Sequence, residues 1–224
     1  MKPTKFYEIF EREKGKRRFL YTKNLTPGLN VYGENIVREH DIEFREWDIK
    51  RSKIAAALIK GLNQLGLAPK QVVLYLGAST GTTVSHVSDI VGPDGMIFAI
   101  DFAPRTTRDL VFLAEQRPNI APILADANQP DTFKDKIPKQ VDWLFQDIAQ
   151  RNQAEIFLKN VKLFLKPGAL CAISVKARSV DVKKRPSEVF ATVRKQLEKD
   201  LIISDYRTLD PFEKDHAFFV CKKK

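Results

Sequence analysis

Val72-Val73-Leu74-Tyr75-Leu76-Gly77-Ala78-Ser79-Thr80-Gly81-Thr82-Thr83 is the stretch whose reading decides the fold. An apolar, partly β-branched run stops at a glycine, passes through a turn of small residues and continues as a helical pattern from Thr82 to Val91. This order predicts a buried strand, a ligand loop and a helix N-terminus. Gly77 and Gly81 are expected to let a ligand approach the backbone, with the first helical N–H groups unpaired and facing it. Over so short a stretch, a glycine loop that only turns the chain would look the same.

What the loop lacks narrows the ligand. Thr82 stands where a P-loop lysine would reach for phosphates, and Ser79 replaces the second glycine of a pyrophosphate-binding Gly-x-Gly-x-x-Gly. Downstream, the strand Met96 to Ile100 ends at Asp101, a carboxylate placed to accept both hydroxyls of a ribose. The combination suits a nucleoside cofactor without phosphates, such as S-adenosylmethionine.

From Gln71 onward, apolar strands at 72–76, 96–100, 120–124, 141–146 and 169–175 alternate with helical patterns at about 82–91, 104–116, 151–165 and 186–199. Near-continuous apolar strands with helices between them imply a parallel sheet covered on both faces. Leu201–Thr208 and Ala217–Cys221 break the alternation and read as an antiparallel hairpin at one edge. This is an α/β fold, a doubly wound Rossmann-like sheet with a C-terminal antiparallel hairpin, the layout of class I S-adenosylmethionine methyltransferases. Ligands of such sheets lie beyond the carboxyl ends of the strands. Asp101, Asp126, Asp147 and Lys176 fall at four such ends and are expected to converge.

The first 47 residues differ in texture. Short apolar stretches (6–10, 18–21, 29–32 and 42–47) are separated by Lys14-Gly15-Lys16, Thr26-Pro27-Gly28 and Tyr32-Gly33-Glu34, which are turn signals. They predict a small N-terminal β unit (1–47) ahead of the methyltransferase domain (48–224). Asp48 is expected to cap a helix running to about Gly66, with Ile54, Leu58, Leu62 and Leu65 on one face. Lys53 lies in its first turn, where a cation opposes the helix dipole.

Composition bounds the function classes. The 224 residues are 43% hydrophobic, enough for one substantial core. No long apolar run or leader pattern is present, so a cytoplasmic location without membrane association is expected. Cys171 and Cys221 sit in apolar runs without metal-ligand spacing and read as buried reduced thiols, with no metal site. A net charge of +10, from 38 basic and 28 acidic residues, points to a polyanion such as nucleic acid. Basic residues cluster at Lys14, Lys16, Arg17 and Arg18 and at Lys183-Lys184-Arg185.

Several motifs together resemble archaeal fibrillarin: Trp47 with Arg51-Ser52-Lys53, the run from Tyr75 to Asp89, Asp147-Ile148-Ala149-Gln150, Lys176-Ala177-Arg178-Ser179, and Pro211 to Ala217. The likeness extends over essentially the whole chain, including Val31-Tyr32-Gly33-Glu34. It implies an S-adenosylmethionine-dependent RNA 2′-O-methyltransferase acting on rRNA and tRNA in a box C/D guide-RNA particle. A docking scaffold protein, a kink-turn-binding protein and the guide RNA are its implied partners. By the same resemblance Thr82 and Thr83 contact the cofactor at the loop with Gly77, Ser79 and Gly81. Asp101 and Phe102 contact its ribose and adenine, Asp126 and Ala127 its adenine, and Asp147, Ile148, Ala149 and Gln150 its methionyl end. Read alone, Asp126 is equally a loop carboxylate capping backbone N–H groups.

Lys53, Asp147 and Lys176 match a Lys-Asp-Lys catalytic core, with His216 as a fourth member. A lysine accepts a proton at neutral pH only if desolvation or a second cation lowers its pKa from about 10.4. The reading therefore makes Lys176 the base or oxyanion stabiliser, Asp147 the orienting acid, and Lys53 and His216 positioning groups. His216 also reads as a histidine that merely opens the last edge strand. The sequence departs from the family pattern at Asp48-Ile49, Ser79-Thr80, Asp101 and Arg151. Asp48 is expected to raise the Lys53 pKa if the two touch. An RNA-binding module with a vestigial cofactor fold, and a methyltransferase of small molecules or proteins, are the competing readings.

Overall fold

The computed structural model describes residues 1–15, 17–137 and 139–224. Lys16, part of the basic N-terminal cluster and of the predicted turn at 14–16, lies outside the described residues. The first five strands are β1 (Lys2–Pro3), β2 (Ile9–Lys14), β3 (Arg17–Lys23), β4 (Ile36–Glu39) and β5 (Ile42–Trp47). They form one antiparallel sheet in the order β1-β2-β3-β5-β4. Two predicted strands moved. The strand expected at 6–10 lies instead at Ile9–Lys14, with a two-residue strand, Lys2–Pro3, paired ahead of it. Residues 29–32 form a loop, and Ile36–Glu39 pairs in their place. The cause is Glu34, whose carboxylate accepts the Val31 and Tyr32 N–H groups that a strand would have spent on a neighbour.

α1 (Lys53–Ile59) is one-half the length its apolar spacing suggests, and its cap is Ser52, whose Oγ accepts the Ala55 N–H, not Asp48. Asp48 instead accepts the Lys50 N–H at 2.8 Å. The helix stops at Gly61, which takes φ +83° while its carbonyl receives the Arg207 guanidinium. Leu62 and Leu65 still enter the core, from a non-helical segment laid against the main sheet, where the Trp143 indole N–H donates to the Leu65 carbonyl at 2.9 Å.

The alternating elements follow: β6 (Val72–Leu76), α2 (Thr82–Val91), β7 (Met96–Asp101), α3 (Pro104–Gln116), β8 (Ile120–Leu124), β9 (Val141–Gln146), α4 (Gln153–Phe164), β10 (Leu165–Lys176), a single turn α5 (Ala177–Val180), α6 (Pro186–Glu198), β11 (Leu201–Thr208) and β12 (His216–Lys223). The seven-stranded sheet has the order β11-β12-β10-β9-β6-β7-β8. β10, β9, β6, β7 and β8 run parallel, and the β11–β12 hairpin joins antiparallel through β12. β12 is thus an interior strand, with β11 at the edge, so His216 does not open an edge strand.

Alternate residues of each strand feed two cores. Val73, Tyr75, Ile97, Ala99, Trp143 and Phe145 pack on one face, and Val72, Leu74, Phe98, Ile100 and Leu144 on the other. The central strands β6 and β7 are apolar along almost their whole length because both faces are covered. Cys171 and Cys221 face each other across β10 and β12 as buried free thiols. Burial pushes the Cys221 thiol up to about 12 and raises the Cys171 thiol well above its ordinary value.

A buried polar seam joins the N-terminal sheet to α2. Arg45 donates to Glu34 at 2.6 Å, to Asp89 at 2.8 Å and to Ser85 at 2.9 Å. Arg117 reaches the other Asp89 oxygen at 2.6 Å. His86 lies stacked on Trp47 and hydrogen-bonds Thr22 and Tyr32, each at 2.8 Å.

Candidate active site

The site lies along the C-terminal rim of the parallel strands, where backbone hydrogen bonds knit successive loops together. The Gly77 and Ala78 N–H groups donate to the Ile100 carbonyl, Asp147 N–H to Leu76, and Ala125 N–H to Asp101. Strand order therefore sets side-chain order along the rim: Lys176, Asp147, the 77–81 loop, Asp101, then Asp126 and Ala127. The four strand-end residues expected to converge do share one edge.

The glycines of the loop have a structural reason beside the one expected. Gly77 sits at φ +84°, and a Cβ there would lie 2.2 Å from the Asp147 carbonyl oxygen. Gly81, at φ +93°, would strike Leu113 at 2.4 Å. The protein's own close packing and left-handed backbone already require glycine at both positions. Ser79 is exposed and also at positive φ. Gly81 has no side chain to cap α2, so the first-turn N–H groups near Thr82 and Thr83 remain available to an anion such as an amino-acid carboxylate.

Asp101 is less free than the sequence suggests. One carboxylate oxygen accepts the Ser79 N–H at 2.7 Å, and the other accepts Ala103 N–H at 3.0 Å and the Thr106 hydroxyl at 2.9 Å. Of about four lone-pair positions three are used, which leaves one open to a ribose hydroxyl. Phe102, beside it, is 69% exposed and offers an aromatic face. Asp126 accepts the Asn128 N–H at 2.8 Å, the local capping role open to it from sequence, while Ala127 is buried with its carbonyl held by Asn160. Ile148 packs toward Gly77, Ala149 is exposed, and the Gln150 carbonyl is held by Gln153. A carboxylate, an open helix N-terminus and an exposed ring, spread along one rim, fit an adenosine bearing an amino-acid tail.

At the other end of the rim, Lys53 Nζ lies 3.1 Å from Asp147 and 4.0 Å from Glu213. Burial alone would lower the Lys53 ammonium, but Asp147 and Glu213 outweigh it, and its pKa is raised. Lys53 is held charged. The carboxylates responsible are not Asp48, which pairs with Arg51 at 3.7 Å. The expected arrangement of two lysines around one acid is also only half present. Lys176 is exposed and makes no ion pair within 4.0 Å among the described residues. It lies directly across β10 and β12 from His216. His216 Nδ1 donates to the Lys214 carbonyl at 2.8 Å, since a carbonyl can only accept, and Nε2 is left for another partner.

Sequence reasoning assigned no role to three residues that shape this site. Glu213 is the second acid on Lys53. Gln153, buried, ties the two catalytic loops together: its amide donates to the Gln150 and Lys176 carbonyls and accepts the Lys176 N–H. Tyr75 is buried beneath the rim with its hydroxyl by Thr83, and burial first, then the Asp147 charge, drive its pKa well above the usual value. Glu213 lay inside a recognised motif. Gln153 carried no signal, being one polar residue opening a helix. Among the described residues no helix is long and apolar enough to cross a membrane, and no cluster of His, Cys, Asp or Glu is placed to hold a metal.

Comparison with known proteins bears on this geometry. The family model described as Fibrillarin matches residues 1–224. The fibrillarin-like rRNA/tRNA 2′-O-methyltransferase of Thermococcus onnurineus is 46% identical over 215 residues, covering 96% of this chain and 94% of that protein. The crystal structure of Aeropyrum pernix fibrillarin with natively bound S-adenosyl-L-methionine superposes with a TM-score of 0.90 at 43% identity, over 98% of this chain and 96% of that one. The fibrillarin of a fibrillarin/Nop5p complex does so with a TM-score of 0.84 at 41% identity, over 92% and 94%.

Proposed function

The chain belongs to the fibrillarin family, and from that premise we propose that it is an S-adenosylmethionine-dependent RNA ribose 2′-O-methyltransferase. It acts on rRNA and tRNA within a box C/D guide-RNA particle. The observation that carries the reading is the Lys53–Asp147 contact at 3.1 Å on the strand-end rim, continuous with a loop suited to the adenosine donor. When bound, the sulfonium supplies an activated methyl group.

Asp147 then does two things: it fixes Lys53 as an ammonium and faces the methionyl end through its own loop. With Lys53 committed to two carboxylates, Lys176 is the group left to steady the oxyanion, and it takes the proton of the attacking 2′-hydroxyl only once bound substrate desolvates it. His216, across the strand pair, positions the Lys176 segment. The donor is already reactive, so positioning supplies more of the rate than strong acid–base chemistry.

We assign the cofactor contacts to Gly77, Ser79, Gly81, Thr82, Thr83, Asp101, Phe102, Asp126, Ala127 and Asp147 to Gln150. The solved fibrillarin/Nop5p complex supports a scaffold protein as partner. Guide RNA and a kink-turn-binding protein complete the proposed particle, because a guide–target duplex is read by shape and this chain is small for holding one alone. The division at residue 47 into a β unit and a catalytic domain, and a cytoplasmic location, belong to the same proposal. The test is reconstitution with scaffold, kink-turn protein, guide RNA and target. Methyl transfer to the guide-paired ribose is expected; transfer to other positions only, or none, refutes the assignment.

A further inference from the structure

β10 delivers Lys176 to the rim, and the chain then places Lys176, Arg178, Lys183, Lys184 and Arg185 within the ten residues 176–185. All five are exposed. Arg151, exposed on the loop after β9, joins the same face. The buried Gln153 side chain binds that loop to Lys176 with hydrogen bonds of 2.9, 3.3 and 3.2 Å. The Asp181 carboxylate is held below its usual range, first by the Lys183 N–H and then by Lys184 and, more weakly, Arg151, as a shared neighbourhood requires. Three acids answer these six cations. Asp215 pairs with Arg178 at 3.1 Å, Asp181 with Lys184 at 3.8 Å and Glu188 with Arg185 at 2.8 Å. Exposed pairs of this kind are weak, and the face stays positive. Lys183 has no acidic partner within 4.0 Å among the described residues.

Chemistry says what such a face meets. A ribose 2′-hydroxyl is vicinal to a 3′-phosphodiester, so any RNA strand that brings its hydroxyl to Asp147 and Lys176 brings fixed anions within a few bonds of the reaction centre. A protein partner carries no such obligation. We propose that Arg151, Lys183, Lys184 and Arg185 form a phosphodiester grip that holds the target strand on the Lys176 side of the ribose being methylated. The grip rests on the RNA-methyltransferase reading above. Phosphate contacts of this kind set register and orientation without reading bases, which suits an enzyme whose sequence information comes from a guide.

The experiment uses the reconstituted particle and compares wild type, Lys183→Ala/Lys184→Ala, Arg151→Ala and Lys183→Arg/Lys184→Arg in steady-state methylation over a range of target concentration and salt. The double alanine variant is expected to raise the target KM several-fold with kcat near wild type. The slope of log(1/KM) against log salt should become shallower by about one for each lysine removed. The arginine variant should restore both, and S-adenosylmethionine affinity and scaffold binding should be unchanged. An unaltered KM and salt slope overturns the grip. So does a loss that follows weakened scaffold binding, which would give the face to an acidic protein surface. If wild type itself transfers no methyl group, the function falls and the grip falls with it.

Discussion

The seam around Asp89 and the rim around Asp147 are both built on a carboxylate that binds cations, yet they are opposite in kind. Asp89 and Arg45 have fully buried side chains, and every Asp89 oxygen is spent, on Thr22 and Arg45 and on Leu25 and Arg117. Asp147 and Lys53 each keep 24% of their side chain exposed. In the sealed cluster the charges are satisfied by the protein alone and serve to hold it. In the open one they retain capacity for a partner. α2 touches both, with Ser85, His86 and Asp89 in the seam and Thr82 and Thr83 at the cofactor loop, so the closed cluster steadies the helix on which the open one depends.

The largest way to break this contrast is Asp89→Ala. It strands two buried guanidinium groups, and the loss should be about 3–5 kcal/mol of unfolding free energy, read from urea midpoints at constant m. A loss under about 1 kcal/mol would mean the seam does not hold the two sheets together. Lys176→Ala, at the rim, should do the converse. Single-turnover methylation falls by about 10²-fold or more, while stability moves by no more than about 0.5 kcal/mol and cofactor binding is kept. Near-wild-type rates would remove Lys176 from the chemistry.

Acid should also separate the clusters. Burial, then the charges of Arg45 and Arg117, hold His86 well below the usual imidazole range, so it is neutral when folded. The unfolded chain binds a proton near pH 6.5 and the folded one does not, so stability is complete above that pH and falls below it. By pH 5.5 the loss from His86 is about 1.4 kcal/mol, and His86→Asn should flatten that part of the profile. The smallest effect is expected for the rim pair itself. A double-mutant cycle of Lys53→Met and Asp147→Asn should give a stability coupling of about 1 kcal/mol or less, although each single change costs turnover. A coupling as large as that of a buried pair would erase the distinction between the two clusters.

Some of this was legible without coordinates. The runs at 72–76, 120–124 and 141–146 match β6, β8 and β9, and the run at 96–100 stops one residue short of β7, because strands buried on both faces are rich in apolar residues and their loops are marked by glycine or acid. α1 was misread because Leu62 and Leu65 keep helical spacing while a contact from Arg207, 146 positions away, closes the helix at Gly61. The seam was not legible as a cluster: Glu34, His86 and Asp89 lie in quoted motifs, but Thr22, Arg45 and Arg117 have no spacing relation to them, and nothing local pairs these residues until the two sheets meet.

The amino-acid order by itself determined the doubly wound sheet and the loop after its first strand, since hydrophobic period and local turn chemistry act over a few residues, whereas Lys53, Asp147 and Lys176 are singled out only by the family resemblance. Tertiary structure alone decided which lysine is bound to carboxylates, that Glu213 is one of them, and that Asp101 enters the site already hydrogen-bonded. Charge pairing and desolvation depend on distances between segments, and those distances exist only once the chain has folded.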